Sequence, residues 1–285
     1  MKKLLLTGSN GFIGGYFISK YHNMYDIKTF SFLHNDIDSL DCSGIDVVAH
    51  LSALVHQMSG ASEAEYERVN VTQTLKLAKK AKEAGAGQFV FMSSVKVYGE
   101  ETTHKYSENS ICNPKDEYGK SKLRAEIELQ KLEDENFKVT IIRTPIVYGY
   151  GVKANIKLLI KLVGKLPVLP FGKIENKRSM VYVGNLSHLV DEVIVQEKNG
   201  IFLASDDKPL STSNLIELIA KNLDKKVYLI KIPFFDVLLK LLKPSFCKRL
   251  YGSLEIQNSV TKDILKLKNP YSIEDGIKHM IKGEF

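Results

Sequence analysis

The 285-residue sequence contains no tryptophan, three cysteines and eight prolines. No apolar stretch reaches the roughly 18–20 residues that a transmembrane helix needs. The cysteines (Cys42, Cys112, Cys247) lie far apart, which excludes a disulfide scaffold and any cysteine-based zinc motif. Three reduced thiols fit a cytoplasmic protein. The missing tryptophan excludes nothing. The seven histidines show no H-x-x-x-H pairing and no His/Asp cluster, so no metal site is expected. There is no internal repeat and no low-complexity tract. Met1-Lys2-Lys3-Leu4-Leu5-Leu6 starts like a secretory signal, but Thr7-Gly8-Ser9 ends the apolar run after three residues. The expected location is the cytoplasm.

What is present is an ordinary globular composition, 44% apolar and 26% charged, with a basic excess of 40 Lys+Arg over 33 Asp+Glu. A net charge of +7 is compatible with nucleic acid, an anionic membrane or a phosphorylated small molecule. The length allows one large α/β domain, or a large domain carrying a small one. Through residue 145, short apolar runs alternate with helical segments. Strands are expected at Lys3–Thr7, Asp26–Phe32, Asp46–Leu51, Gln88–Ser93 and Val139–Thr144. Helices are expected at Gly11–Tyr21, Glu63–Ala84 and Tyr118–Asn136. This alternation predicts right-handed βαβ units, hence a doubly wound parallel sheet of Rossmann type. Past Pro145, prolines punctuate shorter elements, and Ile201–Ala204 reads as one more strand. The expected division is a dinucleotide-binding domain over 1–145 with a returning segment 180–204. A smaller C-terminal substrate-binding domain is expected over 146–179 and 205–285.

The first strand runs straight into Gly8-Ser9-Asn10-Gly11-Phe12-Ile13-Gly14, a G-x-x-G-x-x-G loop with a strand before it and a helix after it. Such glycines let backbone approach a pyrophosphate, whose charge sits on the positive end of the helix. An NAD-preferring site places an acid at the tip of the second strand, about 20 residues on. Here that tip reads Thr29-Phe30-Ser31-Phe32-Leu33-His34, with neither acid nor arginine, so NADP(H) is expected over NAD(H). Asp36 and Ile37 are expected beside the adenine.

Tyr118 and Lys122 form Y-x-x-x-K at a helix start, which places both side chains on one face. A free tyrosine has a pKa of about 10. A neighbouring ammonium and an oxidised nicotinamide favour the phenolate and make it a usable acid/base near neutrality. The strand end Ser93-Ser94 offers a hydroxyl for a reacting carbonyl.

These segments resemble the extended short-chain dehydrogenase/reductases of the nucleotide-sugar branch, over nearly the whole chain. TGSNGFIG is similar to the family's phosphate loop, and His50-Leu51-Ser52-Ala53 to its strand end beside the cofactor. Asn70-Val71, Ser94-x-x-Val97-Tyr98-Gly99, YGKSK and Arg143-Thr144-Pro145-Ile146-Val147-Tyr148-Gly149 match further family segments. The resemblance implies Ser94, Tyr118 and Lys122 as catalytic residues. It implies cofactor contacts from Gly8, Asn10, Gly11, Phe12, Ile13, Gly14, Leu51, Ser52, Ala53, Tyr118, Lys122 and Val147. It places Asn155 near the sugar diphosphate, Arg178 on the pyrophosphate, and Leu169-Pro170-Phe171-Gly172 around uracil. Ser94, Tyr118 and Lys96 then face the sugar, with Lys96 divided between substrate and solvent.

The family's 4,6-dehydratases carry an Asp-Glu pair where this chain has Val95 and Lys96, so dehydration is disfavoured; decarboxylating relatives also carry a Glu near this point. The epimerases carry an asparagine where Ile146 stands. The remaining segments look most like bacterial reductases of UDP-4-keto-6-deoxy-N-acetylhexosamines, which implies a UDP-sugar substrate and surface-polysaccharide biosynthesis. The alternative is a UDP-N-acetylhexosamine or UDP-glucose type 4-epimerase. A cofactor-binding regulator without chemistry would have lost Tyr118 or Lys122. Family likeness implies a homodimer through the helices 63–84 and 118–136. No nucleic-acid motif is present. Phe234–Leu242, with lysines near by, has the pattern of an interfacial helix. Similar helices occur in the family's small domain, so no stable membrane association is expected.

Overall fold

A computed structural model describes residues 1–55, 61–102 and 104–283. Its main sheet has six strands, β1 (Lys2–Thr7), β2 (Tyr25–Phe30), β3 (Val47–His50), β4 (Gln88–Ser94), β5 (Lys138–Thr144) and β9 (Gly200–Leu203). They are all parallel, in the order β2-β1-β3-β4-β5-β9. Successive side chains of a strand point to opposite faces, and β1 divides its three leucines accordingly. Leu4 and Leu6 pack on one face with Ala49 and Val90, under α1 (Phe12–Tyr21) and α6 (Val183–Val195). Leu5 packs on the other with Val48 and Phe89, under α3 (Gln73–Glu83) and α4 (Glu117–Gln130). Every residue of β4 is buried, as a strand covered on both sides should be.

The strand order reverses between β1 and β3, so the crevice at their carboxyl ends is where ligands of such sheets bind. After β5 the chain forms β6 (Ile146–Tyr148), α5 (Ala154–Lys165), β7 (Val168–Leu169) and β8 (Met180–Tyr182). β8 pairs with β6, outside the main sheet. The chain then returns through α6 and β9. A second lobe holds α7 (Thr212–Asn222), β10 (Tyr228–Leu229) paired with β7, α8 (Phe235–Leu242) and α9 (Pro244–Tyr251). It closes with α10 (Ser259–Leu265) and α11 (Ile273–Lys282), around a core that includes Phe171, Ile216, Ile219 and Ile277.

Three elements differ from expectation. The long helix 63–84 is α2 (Glu63–Tyr66), a π turn (Glu67–Thr72) and α3. α4 stops at Gln130 and not Asn136, because the Asp134 carboxylate accepts the amides of Asn136 and Phe137, both at 2.9 Å. β2 ends at Phe30, where the chain turns and the Asn35 amide bonds the Ser31 carbonyl at 3.0 Å. No helix among the described residues is long and apolar enough to cross a membrane.

Candidate active site

The glycine loop is closed by contacts that leave no room for side chains. Gly8 has φ +76°, and a Cβ there would sit 2.9 Å from the Leu51 carbonyl carbon and the Ser52 nitrogen. A Cβ on Gly14 would overlap the Gly8 carbonyl oxygen. Glycine is therefore required at both positions, one for backbone conformation and one for helix–strand approach. Helix α1 begins at Gly11 with no side-chain cap and no acid in its first turn. A helix start left with bare amides and its positive dipole end suits an anionic diphosphate. The residues present thus fit a dinucleotide.

His50 ties the two strand ends that flank this loop. Its Nδ1 lies 2.7 Å from the Thr7 hydroxyl and its Nε2 3.0 Å from that of Thr74. The ring is buried, and burial, with Lys122 adding to it, lowers its pKa to about 3. It is a neutral structural brace. The Leu51 amide then bonds the Thr7 carbonyl at 3.3 Å, and the Ser52 amide the Thr7 hydroxyl at 3.4 Å. Asn70, aimed by the π turn, bonds both backbone groups of Leu54 (2.8 and 3.0 Å) and the Ser121 hydroxyl (3.0 Å). Leu51, Ser52 and Ala53 therefore lie half-buried at the crevice. Val147 is half-buried on β6 and touches the cores of both lobes. Asp36 is exposed and accepts the Asp38 amide, whereas Ile37 is buried in the sheet's core.

Ser94, at the end of β4, and Tyr118, in the first turn of α4, line one cavity of about 430 Å³. The two neighbouring serines divide the labour. The Ser93 hydroxyl donates to Glu126 inside the protein, whereas Ser94 accepts the Lys96 amide at 3.3 Å and interacts with Tyr118. Lys122 is fully buried, donates to the Met92 carbonyl at 2.7 Å and lies 4.3 Å from the centre of the Phe91 ring. Burial lowers its pKa to about 7, against a smaller opposing pull from Glu126.

Tyr118 departs from expectation. Burial raises its pKa, and the hydrogen bond from Ser94 opposes this without reversing it. The chain's own residues hold Tyr118 as a neutral phenol, because Lys122 is turned to a carbonyl and its charge is itself discouraged by burial. The expected lowering joins the ammonium to an oxidised nicotinamide, and the chain's own residues supply only the first of these.

The cavity continues past Ile146 into a second of about 530 Å³; Lys96, Ile146, Arg178 and Arg249 line both. Asn155 and Phe171 line the second, while Leu169 is fully buried where β7 meets β10. Arg178 donates to the Gly252 carbonyl at 3.0 Å at the end of α9, and burial lowers its pKa. Lys96 pairs with Asp116, the N-cap of α4, and lies 3.6 Å from Glu100.

Sequence reasoning missed three features. Arg249 stands beside Arg178 in the cleft; the sequence shows only Lys248-Arg249 in a basic stretch. Arg143, read only as part of a family segment, is a buried brace, bonded to Glu126 at 2.6 Å and to the Tyr98 hydroxyl at 2.6 Å. The expectation of no His/Asp cluster also fails. His188, Asp191 and Glu192, at i, i+3 and i+4 on α6, bring ligand atoms within 4.8 Å of one another. Asp191 already accepts the Tyr25 hydroxyl.

Residues 4–203 match the NAD dependent epimerase/dehydratase family. A UDP-glucose 4-epimerase of Vibrio cholerae is 37% identical over 310 aligned positions, which cover 97% of this chain and 94% of that protein. Among solved structures, a UDP-N-acetylglucosamine 4-epimerase from Methanobrevibacter ruminantium shares the fold at TM-score 0.81 and 21% identity, covering 99% and 97% of the two chains. A UDP-glucuronic acid 4-epimerase from Bacillus cereus in complex with NAD does so at 0.78 and 21%, covering 98% and 97%. The chain belongs to the NAD dependent epimerase/dehydratase family.

Proposed function

We propose that this member of the family is a UDP-hexose 4-epimerase that works with NAD. One observation carries the reading: the likeness to the Vibrio cholerae enzyme runs through both lobes, cofactor loop and substrate cleft alike. It displaces the reductase reading from first place. The expectation of NADP rests on a missing acid, whereas the family is described as NAD dependent.

Gly8, Gly11 and Gly14 would hold the dinucleotide diphosphate at the start of α1, with Leu51, Ser52 and Ala53 beside it. The bound dinucleotide supplies reversible two-electron chemistry at sugar C4. Tyr118 takes the proton from the C4 hydroxyl and later returns it. Ser94 donates a hydrogen bond to the same oxygen and fixes its distance from Tyr118. Lys122, whose pKa burial brings to about 7, first takes the phenolic proton of Tyr118, so that Tyr118 meets the C4 hydroxyl as a phenolate beside the ammonium that stabilises it. In the cleft Arg178 and Arg249 face the substrate diphosphate, where planar guanidinium donors suit phosphate geometry. Asn155, Lys96 and Phe171 are assigned to the sugar and base ends, whereas the buried Leu169 side chain supports that wall from behind.

A second reading, NAD(P)H-dependent reduction of a UDP-4-keto-6-deoxy-N-acetylhexosamine, is favoured by Ile146. This residue lines both cavities where the epimerases carry asparagine. The purified protein, given UDP-glucose or UDP-N-acetylglucosamine and no reduced cofactor, should yield the 4-epimer by NMR. If no epimer forms with either sugar, and reduced cofactor is consumed stoichiometrically with the keto-sugar, the second reading replaces the first.

A further inference from the structure

Helix α8 keeps none of its residues fully buried. Phe235 and Leu239 pack on the lobe's core, while Phe234, Val237, Leu238, Leu241 and Leu242 stay exposed as a stripe beside them. Their spacing of i, i+3, i+4, i+7 and i+8 is one helix face. Exposure runs from 50% at Val237 to 80% at Phe234. An apolar face of this size on a folded protein marks an interaction surface.

The surrounding charge says what kind. Residues 153–173 hold five lysines and no acid, and residues 225–250 hold six lysines and Arg249 against Asp236 alone. These stretches meet where β7 pairs with β10, and the Phe171 and Phe235 rings lie 6.3 Å apart. All eleven lysines are exposed. The rest of the chain has 28 basic residues against 32 acidic ones, so its net charge is negative. The whole positive excess thus falls in two stretches, one of which carries α8 while the other packs against it through Phe171, with Lys248 and Arg249 turned to the cleft.

We infer that this face docks on an anionic phospholipid bilayer, with the α8 stripe lying in the interface and the lysines against the headgroups. An amphipathic helix with apolar residues on one side and cations around it binds in the plane of a membrane, and the contribution of the cations falls with salt. The inference stands on the surface alone and does not depend on the reaction catalysed.

The test uses the full chain and sedimentation with vesicles of phosphatidylcholine alone or with about one-third phosphatidylglycerol. The protein should pellet with the anionic vesicles, lose most binding in about 0.5 M salt, and ignore the neutral ones. Leu238→Glu with Leu241→Glu should weaken binding by at least about tenfold at an unchanged unfolding temperature. Because the chain has no tryptophan, Phe234→Trp introduces a single indole, which can be excited selectively at about 295 nm over the tyrosines. Its emission should shift to the blue with anionic vesicles. Absence of pelleting with anionic vesicles would overturn the inference, as would a double variant that pellets like the wild type. It would also fall if the double variant only dissociated a dimer that ignored vesicles, which would make the stripe a self-association or protein-docking surface.

Discussion

In the six-stranded half of the molecule, the ionisable side chains nearest the site are buried against fixed partners. Lys122 has the Met92 carbonyl, Arg143 has Glu126 and Tyr98, and His50 has Thr7 and Thr74. In the lobe built on 153–173 and 225–250 the arrangement is reversed: lysines stand in solvent beside leucines that are also in solvent. The first region uses buried polarity to hold a reaction geometry. The second presents its apolar groups outward. Buried polar groups are costly unless satisfied, so single changes in the first region should be severe. Changes on the stripe of the second should leave the fold intact.

The largest effect is expected at Tyr118. Tyr118→Phe removes the hydroxyl proposed to move the sugar proton and should lower turnover by roughly 10²–10⁴. The unfolding temperature should change little, and retention of full turnover would show that the cavity is not the active site. Next, Glu126→Ala leaves Arg143 buried without its carboxylate and should destabilise the fold by about 3–5 kcal/mol, measured by urea unfolding. A loss below about 1 kcal/mol would mean that water satisfies Arg143, and the contrast between the regions would weaken.

Two pH effects follow. His50 is neutral in the fold down to pH about 3, while an unfolded histidine binds a proton below about 6.5. The unfolded state thus holds the extra proton between these values. Stability should fall as pH drops through that window, by at most about 1.4 kcal/mol per pH unit, and His50→Asn should flatten the slope. Lys122 has a folded pKa lowered to about 7, so the unfolded state holds the extra proton from there up to its ordinary value near 10.5. Its burial therefore opposes folding most below pH 7, and that cost is relieved as pH rises. Lys122→Met should lower turnover by roughly tenfold or more while raising the unfolding temperature at pH 6. The smallest effect belongs to the other region: Leu241→Glu should alter stability by less than about 0.5 kcal/mol.

Much of the sheet half was legible in the sequence because its signals are local. The glycine loop, the alternation that splits Leu4 and Leu6 from Leu5, and the i, i+4 pairing of Tyr118 with Lys122 each lie within a few residues. What was not legible depends on partners distant in sequence. The resemblance picked Ser94 over Ser93, but the reason Ser93 is occupied, its bond to Glu126, comes only with folding. Arg249 enters the cleft because α9 packs there, and Tyr118 keeps its proton because of burial that no spacing reports. The period-3.6 apolar face of α8 reads the same whether core or solvent lies against it. The net charge of +7 behaved similarly: its magnitude was plain, and its concentration on one lobe became meaningful only beside the exposed helix.

The central claim is that the chain removes and restores hydrogen at the same sugar carbon. The direct test is UDP-glucose, or UDP-N-acetylglucosamine, carrying deuterium at C4, incubated with the protein and followed by NMR and mass spectrometry. An epimerase predicts the 4-epimer with the deuterium retained at C4 and no net change in reduced cofactor. The account would be contradicted by recovery of both sugars unepimerised from a preparation that oxidises NADPH or NADH when given a UDP-4-keto sugar.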